Sequence, residues 1–318
     1  MASPGRVHRV TVHPDGKRAA TAGADGTVPI WSLDSGEELL RLAGHAGEAS
    51  AVAFSPDGSR LATAGTDRLA RLWDAATGTL LRNLAGHDDA VTAVAWTSDG
   101  AQLATASADR TVRVWTTESG FLEEALQSHR KEIRKGFNDV AFSPGGRYLA
   151  AAGSDNVLLL WHFGLATYDV FSDYRDRVMG VMFSPDGRKL ATASYDNPQR
   201  IWETVSSELA FSVPGHDNNW TLGVAWSPDG SLLATAGADE AAIVWDGASG
   251  QRLFSLLGHK GWVESVAFTP DGTRLITTGG DGTARIWDAS PAAERLTLGS
   301  HPARVFRACF SPGEERVA

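Results

Sequence analysis

Short apolar runs separated by turn chemistry set the rhythm of this chain. In residues 45–86, Ala51-Val52-Ala53-Phe54 is a run suited to a strand buried on both faces. Ser55-Pro56-Asp57-Gly58 follows as a turn: Pro presets φ, Asp bonds its own backbone, and Gly takes positive φ. Arg60 to Gly65 reads as a second strand, Ala70 to Trp73 as a third and Thr79 to Leu84 as a fourth, before Gly86-His87 opens the next unit. Four strands of this length cannot close a core alone, so neighbouring units must stack. The same turn recurs at His13 to Gly16, Thr97 to Gly100, Ser143 to Gly146, Ser184 to Gly187, Ser227 to Gly230, Thr269 to Gly272 and Ser311 to Glu314.

The tryptophans mark the same period. Trp31, Trp73, Trp115, Trp161, Trp202, Trp245 and Trp287 lie 42, 42, 46, 41, 43 and 42 residues apart. A period of roughly 40–45 residues with a Trp-Asp-like dipeptide is the signature of a radial array of four-stranded blades. Literal Trp-Asp pairs stand at Trp73-Asp74, Trp245-Asp246 and Trp287-Asp288, and Gly-His pairs at Gly44-His45, Gly86-His87, Gly215-His216 and Gly258-His259. With these pairs in register over nearly its whole length, the chain resembles the WD-repeat β-propellers. The expectation is an all-β, seven-bladed propeller of four-stranded antiparallel blades spanning residues 1–318 as one domain. Its complete blades occupy about 6–298, and an incomplete eighth repeat, 299–318, follows. That extra repeat duplicates what Arg9 to Val12 already supplies, and suits a chain cut from a longer array.

The resemblance implies a hydrogen-bonded relay in which Asp accepts from His, His bonds the Thr hydroxyl, and Thr accepts from the indole N–H. The matching sets are His45, Thr63, Asp67 and Trp73; His87, Thr105, Asp109 and Trp115; His216, Thr235, Asp239 and Trp245; and His259, Thr277, Asp281 and Trp287. Hydroxyl, imidazole and carboxylate together also fit a catalytic triad. A nucleophile should occur once, however, whereas this set occurs four times, which favours satisfied buried polar groups. Metal binding by these histidines is not expected either, because their spacing places each in a different blade. Blade four has Ala151 where Thr should stand, and blades one and five show no upstream Gly-His. These three blades are expected to be the softer ones.

Composition narrows the partners. With 29 Lys and Arg against 38 Asp and Glu, the net charge of −9 argues against nucleic acid or an anionic membrane as partner. The only cysteine is Cys309, so no intrachain disulfide forms and a reducing, cytoplasmic setting is expected. The opening MASPGRVHRVTVHPDG lacks a signal-peptide core. Abundant Ala, Gly and Arg suit a bacterial source, where similar propellers resemble modules attached to signalling enzymes.

Two tryptophans fall outside the repeat. Trp96 and Trp226 replace the inner-strand Phe, but Trp220 and Trp262 stand in loops just before a first strand. In the family that this chain resembles, such loops open on the narrower top face beside the channel, where peptides and proteins dock. Aligned neighbours complete an amphipathic arc: Arg177, Met179, Tyr195, Leu222 and Glu264 with Arg6 and His8 of blade one. Trp and Arg are favoured interface anchors. The bland alternative is that both tryptophans cap the core. A second irregularity is the basic stretch His129 to Lys135, which suits an acidic partner, phosphates or simply solvent.

The expected function is therefore a non-enzymatic, monomeric scaffold or sensor that holds a protein or peptide on its top face, with no cofactor. Two other classes stay open. One is a hydrolytic or lyase site at the central channel, for which His8 and Glu264 come nearest. The other is a purely structural array.

Overall fold

A computed structural model describes residues 7–33, 35, 37–127, 135–163, 167–217, 220–281 and 284–290. Within them, seven antiparallel sheets follow one another along the chain. Six have four strands paired in sequence order, and three strands of the seventh are described. The fourth strand expected for blade seven and the extra repeat at 299–318 lie outside the described residues.

The innermost strands are Val7–Val12, Ala49–Phe54, Val91–Trp96, Phe137–Phe142, Val178–Phe183, Thr221–Trp226 and Val263–Phe268. Each packs against the inner strand of the next blade, and Val7–Val12 packs against Val263–Phe268, so the seven sheets close into a ring. The result is a seven-bladed β-propeller. Gly16 and Pro270, from the turns of blades one and seven, also meet across this closure.

The core lies between blades rather than inside any one of them. Ala20, Ala22, Val28 and Ile30 of blade one pack against Val52, Phe54, Leu61 and Trp73 of blade two. This explains the residue types of the second strand. Arg60–Gly65 is sandwiched by neighbours on both faces and is almost wholly buried, so it reads as small and apolar residues without alternation. Its outer counterpart, Leu80–Ala85, buries only Leu84. A bulge in the inner strand, between Ala49 and Ala51 in blade two and at the matching place in most others, resets which residues face the channel.

The recurring turn is stitched by its own side chains. In blade two, Asp57 accepts from the Ser55 hydroxyl at 2.5 Å and from the Ser59 amide at 3.0 Å. These bonds hold its carboxyl down at about 2. Gly58 has φ +72°, and a methyl group there would stand 2.2 Å from His13 Nε2, so the turn demands glycine twice over.

Candidate functional site

Four blades carry a full relay that ties the loop before the inner strand to the second and third strands. In blade two, His45 Nδ1 lies 2.9 Å from Asp67, His45 Nε2 lies 2.8 Å from the Thr63 hydroxyl, and Trp73 Nε1 donates to that hydroxyl at 2.9 Å. The same chain runs through His87, Asp109, Thr105 and Trp115 at 2.8, 2.7 and 2.9 Å. His216, Asp239, Thr235 and Trp245 are linked at 2.6, 3.0 and 3.0 Å. His259 meets Asp281 at 3.1 Å and Thr277 at 2.8 Å, and Trp287 donates to Thr277 at 2.9 Å.

The chemistry of the groups fixes the direction of these bonds. An indole N–H can only donate and a carboxylate can only accept, so the Thr oxygen accepts from Trp, His Nδ1 donates to Asp, and the Nε2 lone pair of a neutral imidazole accepts the Thr O–H. The imidazole is then neutral and donates from Nδ1 to the carboxylate. In agreement, burial outweighs the neighbouring carboxylate and holds His45, His87 and His259 below the usual histidine value. Burial would raise Asp67, but bonds from His45 and Arg71 hold it at about 2. The four histidine relays are buried, and their groups are spent on one another and on neighbouring amides and side chains. Nothing in this arrangement offers a nucleophile to a substrate.

Blade five corrects the sequence reading. The absence of Gly-His there implies a relay without its middle member, yet Tyr174 occupies that place. Its hydroxyl donates to Thr192 at 2.9 Å and accepts from Trp202 Nε1 at 2.8 Å. Tyr174 stands 18 residues before Thr192, the same offset as His45 before Thr63. Counting back from Thr192 would have found it. Burial raises its phenol above the usual tyrosine value, and the Arg200 guanidinium lies 4.6 Å over its ring while bonding Asp196. Blade one retains the Trp31 to Thr21 bond at 3.0 Å. In blade four, Ala151 is fully buried and Trp161 packs on Phe137 and Tyr168 instead; His129 lies outside the described residues.

A second polar feature crosses the channel. Arg9 of the blade-one inner strand reaches Asp139 of the blade-four inner strand at 2.8 Å. The other Asp139 oxygen accepts the Val181 amide of blade five at 3.1 Å. At the equivalent place the remaining blades carry Ala51, Ala93, Gly180, Gly223 and Ser265, residues too small to obstruct the pair. Sequence reading missed it because Arg9 and Asp139 look like surface strand residues until the ring brings them face to face.

The top-face positions can be aligned by one shared backbone bond. The amide before each turn Asp donates to the carbonyl before each inner strand: Thr66 to Glu48, Ala108 to Ala90, Ser154 to Gly136, Tyr195 to Arg177, Ala238 to Trp220 and Gly280 to Trp262, at 2.7 to 3.0 Å. That ladder places Tyr195, Trp220 and Trp262 on three consecutive blades. Their side chains meet. Tyr195 stacks on Trp220 with ring centroids 4.5 Å apart and planes 11° from parallel. Trp262 stands against Trp220 at 5.4 Å and 79°.

Exposure separates these two tryptophans from the repeat. Trp220 and Trp262 are 40% and 42% exposed, whereas Trp73, Trp115, Trp161, Trp202, Trp245 and Trp287 are all at most 6% exposed. Neither serves as a buried cap. Arg177 is exposed, and Met179, Leu222 and Glu264 are half-buried on the same blades. The Glu264 carboxylate folds up toward Gly280 and the Trp262 main chain: a methyl group at Gly280 would lie 3.7 Å from Glu264 Oε1 and from Trp262 N and O.

At the blade-one end of the arc only His8 is described. Arg6 lies outside the described residues. His8 turns to blade two, its Nε2 lying 3.0 Å from Glu48 Oε2 in a close pair that is off the line of a hydrogen bond. The basic stretch at 129–135 is described only at Lys135, whose amide bonds Asp155. Among the described residues, no group of three His, Cys, Asp or Glu side chains is arranged to hold a metal ion.

The profile described as WD domain, G-beta repeat matches seven stretches, residues 2–32, 36–74, 78–116, 122–162, 167–197, 207–246 and 250–288. Together they cover well over half of the chain. No curated protein matches it.

Proposed function

Because the chain belongs to the WD-repeat family, whose propellers are general protein-interaction scaffolds, we propose that it is a non-enzymatic scaffold that docks a peptide or protein segment on its top face, across blades five to seven. The observation that carries this reading is the pair of exposed tryptophans, Trp220 and Trp262, with the half-buried Tyr195 stacked behind Trp220. Large aromatic rings left in water contribute nothing to the fold core, and rings of this kind supply most of the energy at interfaces. Arg177, Met179, Leu222 and Glu264 lie on the same three blades, two of them apolar and two charged.

The mechanism is rigid presentation. Mutual stacking holds each ring in one orientation, so a partner meets a preformed surface and little ordering cost is added on binding. The buried relays hold the blades from which these loops spring. The purely structural alternative leaves the two exposed tryptophans without a role, and the channel-enzyme alternative finds the channel crossed by Arg9 and Asp139.

The test compares the parent chain with a Trp220→Ala, Trp262→Ala variant of verified fold in affinity capture from cell lysate. A protein held by the parent and released by the variant supports the reading. Equal retention by both moves the docking surface away from this row and contradicts it.

A further inference from the structure

We propose that the surface formed by Trp262, Trp220 and Glu264 takes a cationic side chain, arginine or lysine, of the docked segment. The inference deepens the docking reading above and rests on it. Three observations on one small area carry it.

The first is ring geometry. Trp220 and Trp262 meet at 79°, so their exposed surfaces form a corner rather than a flat patch. An indole face is the negative side of its quadrupole and attracts a cation, most strongly for Trp among the aromatic residues. The second is a carboxylate close to the backbone that carries one of these rings. Glu264 lies beside the main chain of Trp262 and Gly280, whereas the equivalent position is Ser50, Thr92, Asn138, Met179 or Leu222 in the blades that follow the first. Blade seven alone among these pairs a top-face tryptophan with an acidic side chain.

The third is glycine at position 280. The other blades carry Ala24, Thr66, Ala108, Ser154, Tyr195 or Ala238 there. Gly280 leaves room above the Trp262–Gly280 backbone bond, and that room is what the carboxylate approaches. A guanidinium or ammonium placed in the corner meets an indole face and a carboxylate at once, and the net charge of −9 favours its approach. A neutral side chain would gain only the apolar contact. An acidic one would face Glu264 directly.

A short random-peptide library selected on the parent chain, with depletion on the Trp220→Ala, Trp262→Ala variant, tests this. The expected result is enrichment of peptides with arginine or lysine at a shared position. Replacing that residue by citrulline or glutamine should weaken binding about tenfold, and Glu264→Gln should weaken the basic peptide while leaving a citrulline version unchanged. Enriched peptides without a basic position would overturn the cation inference and leave the docking reading standing. So would basic peptides indifferent to Glu264→Gln. Failure to recover any peptide that the double variant rejects would overturn the docking reading, and this inference with it.

Discussion

The hydrogen bonds run one way through each histidine relay, from indole to hydroxyl to imidazole to carboxylate, and burial makes three of these histidines pH-sensitive. His45, His87 and His259 are held below the ordinary histidine value, so the folded chain binds fewer protons than the unfolded chain in that range. Their contribution is complete above about 6.5 and is lost as pH falls from there toward the folded values. Asp67, held at about 2 against an ordinary 3.8, contributes above 3.8 and loses that contribution as pH falls through about 2. Thermal melting across pH should therefore give a plateau above neutrality, a first decline below about 6.5 and a second in strong acid. A midpoint unchanged between neutral and mildly acidic pH would contradict the neutral-imidazole relay. Tyr174→Phe removes the hydroxyl that serves both Trp202 and Thr192. It should cost about 1–3 kcal/mol in urea unfolding, because two buried polar groups lose their partner. The four histidine relays were legible at the level of individual residues, because the family resemblance implies their members and each stands at a nearly constant offset. Tyr174 was not, because no Gly-His precedes that blade and a phenol replaces the imidazole.

Blades differ in what holds them, and amide exchange should resolve this strand by strand. The second strands are covered on both faces, as in Arg60–Gly65, and should exchange slowest. Outer strands such as Leu80–Ala85 should exchange fastest, since they are exposed along most of their length. Blade five, expected from sequence to be soft, should be protected like blade two because Tyr174 completes it. Blade four, with Ala151 in place of a hydroxyl, should be the less protected of the two. Equal exchange in Tyr148–Gly153 and Lys189–Ser194 would show that the relay hydroxyl does not set blade stability. The turns offer a sharper test. Gly58→Ala forces positive φ on a residue with a side chain and drives its methyl into His13. A loss of about 1–2 kcal/mol is expected from the backbone term alone.

At the scale of the whole ring, closure and the top face depend on contacts that no single repeat contains. Arg9 and Asp139 join blades one and four across the channel, and Asp139 is largely buried while Arg9 is about one-third exposed. Arg9→Ala should therefore cost about 1–3 kcal/mol by stranding a buried carboxylate. Asp139→Asn in the same chain should restore part of that loss in denaturant unfolding, the mark of a coupled pair. The number of blades and the order of strands were readable from the period alone. So was the presence of Trp220, Trp262 and Tyr195 on neighbouring blades, because the repeat supplies the alignment. The stacking of Tyr195 on Trp220 and the turn of His8 toward Glu48 were not, since a period gives position on a blade but not the direction of a side chain. The docking claim is tested most directly by fluorine NMR of the chain labelled with 5-fluorotryptophan, titrated with a partner captured by the parent. The resonances of Trp220 and Trp262 should shift while those of the buried repeat tryptophans stay in place. A bound partner that leaves both resonances unmoved would contradict it.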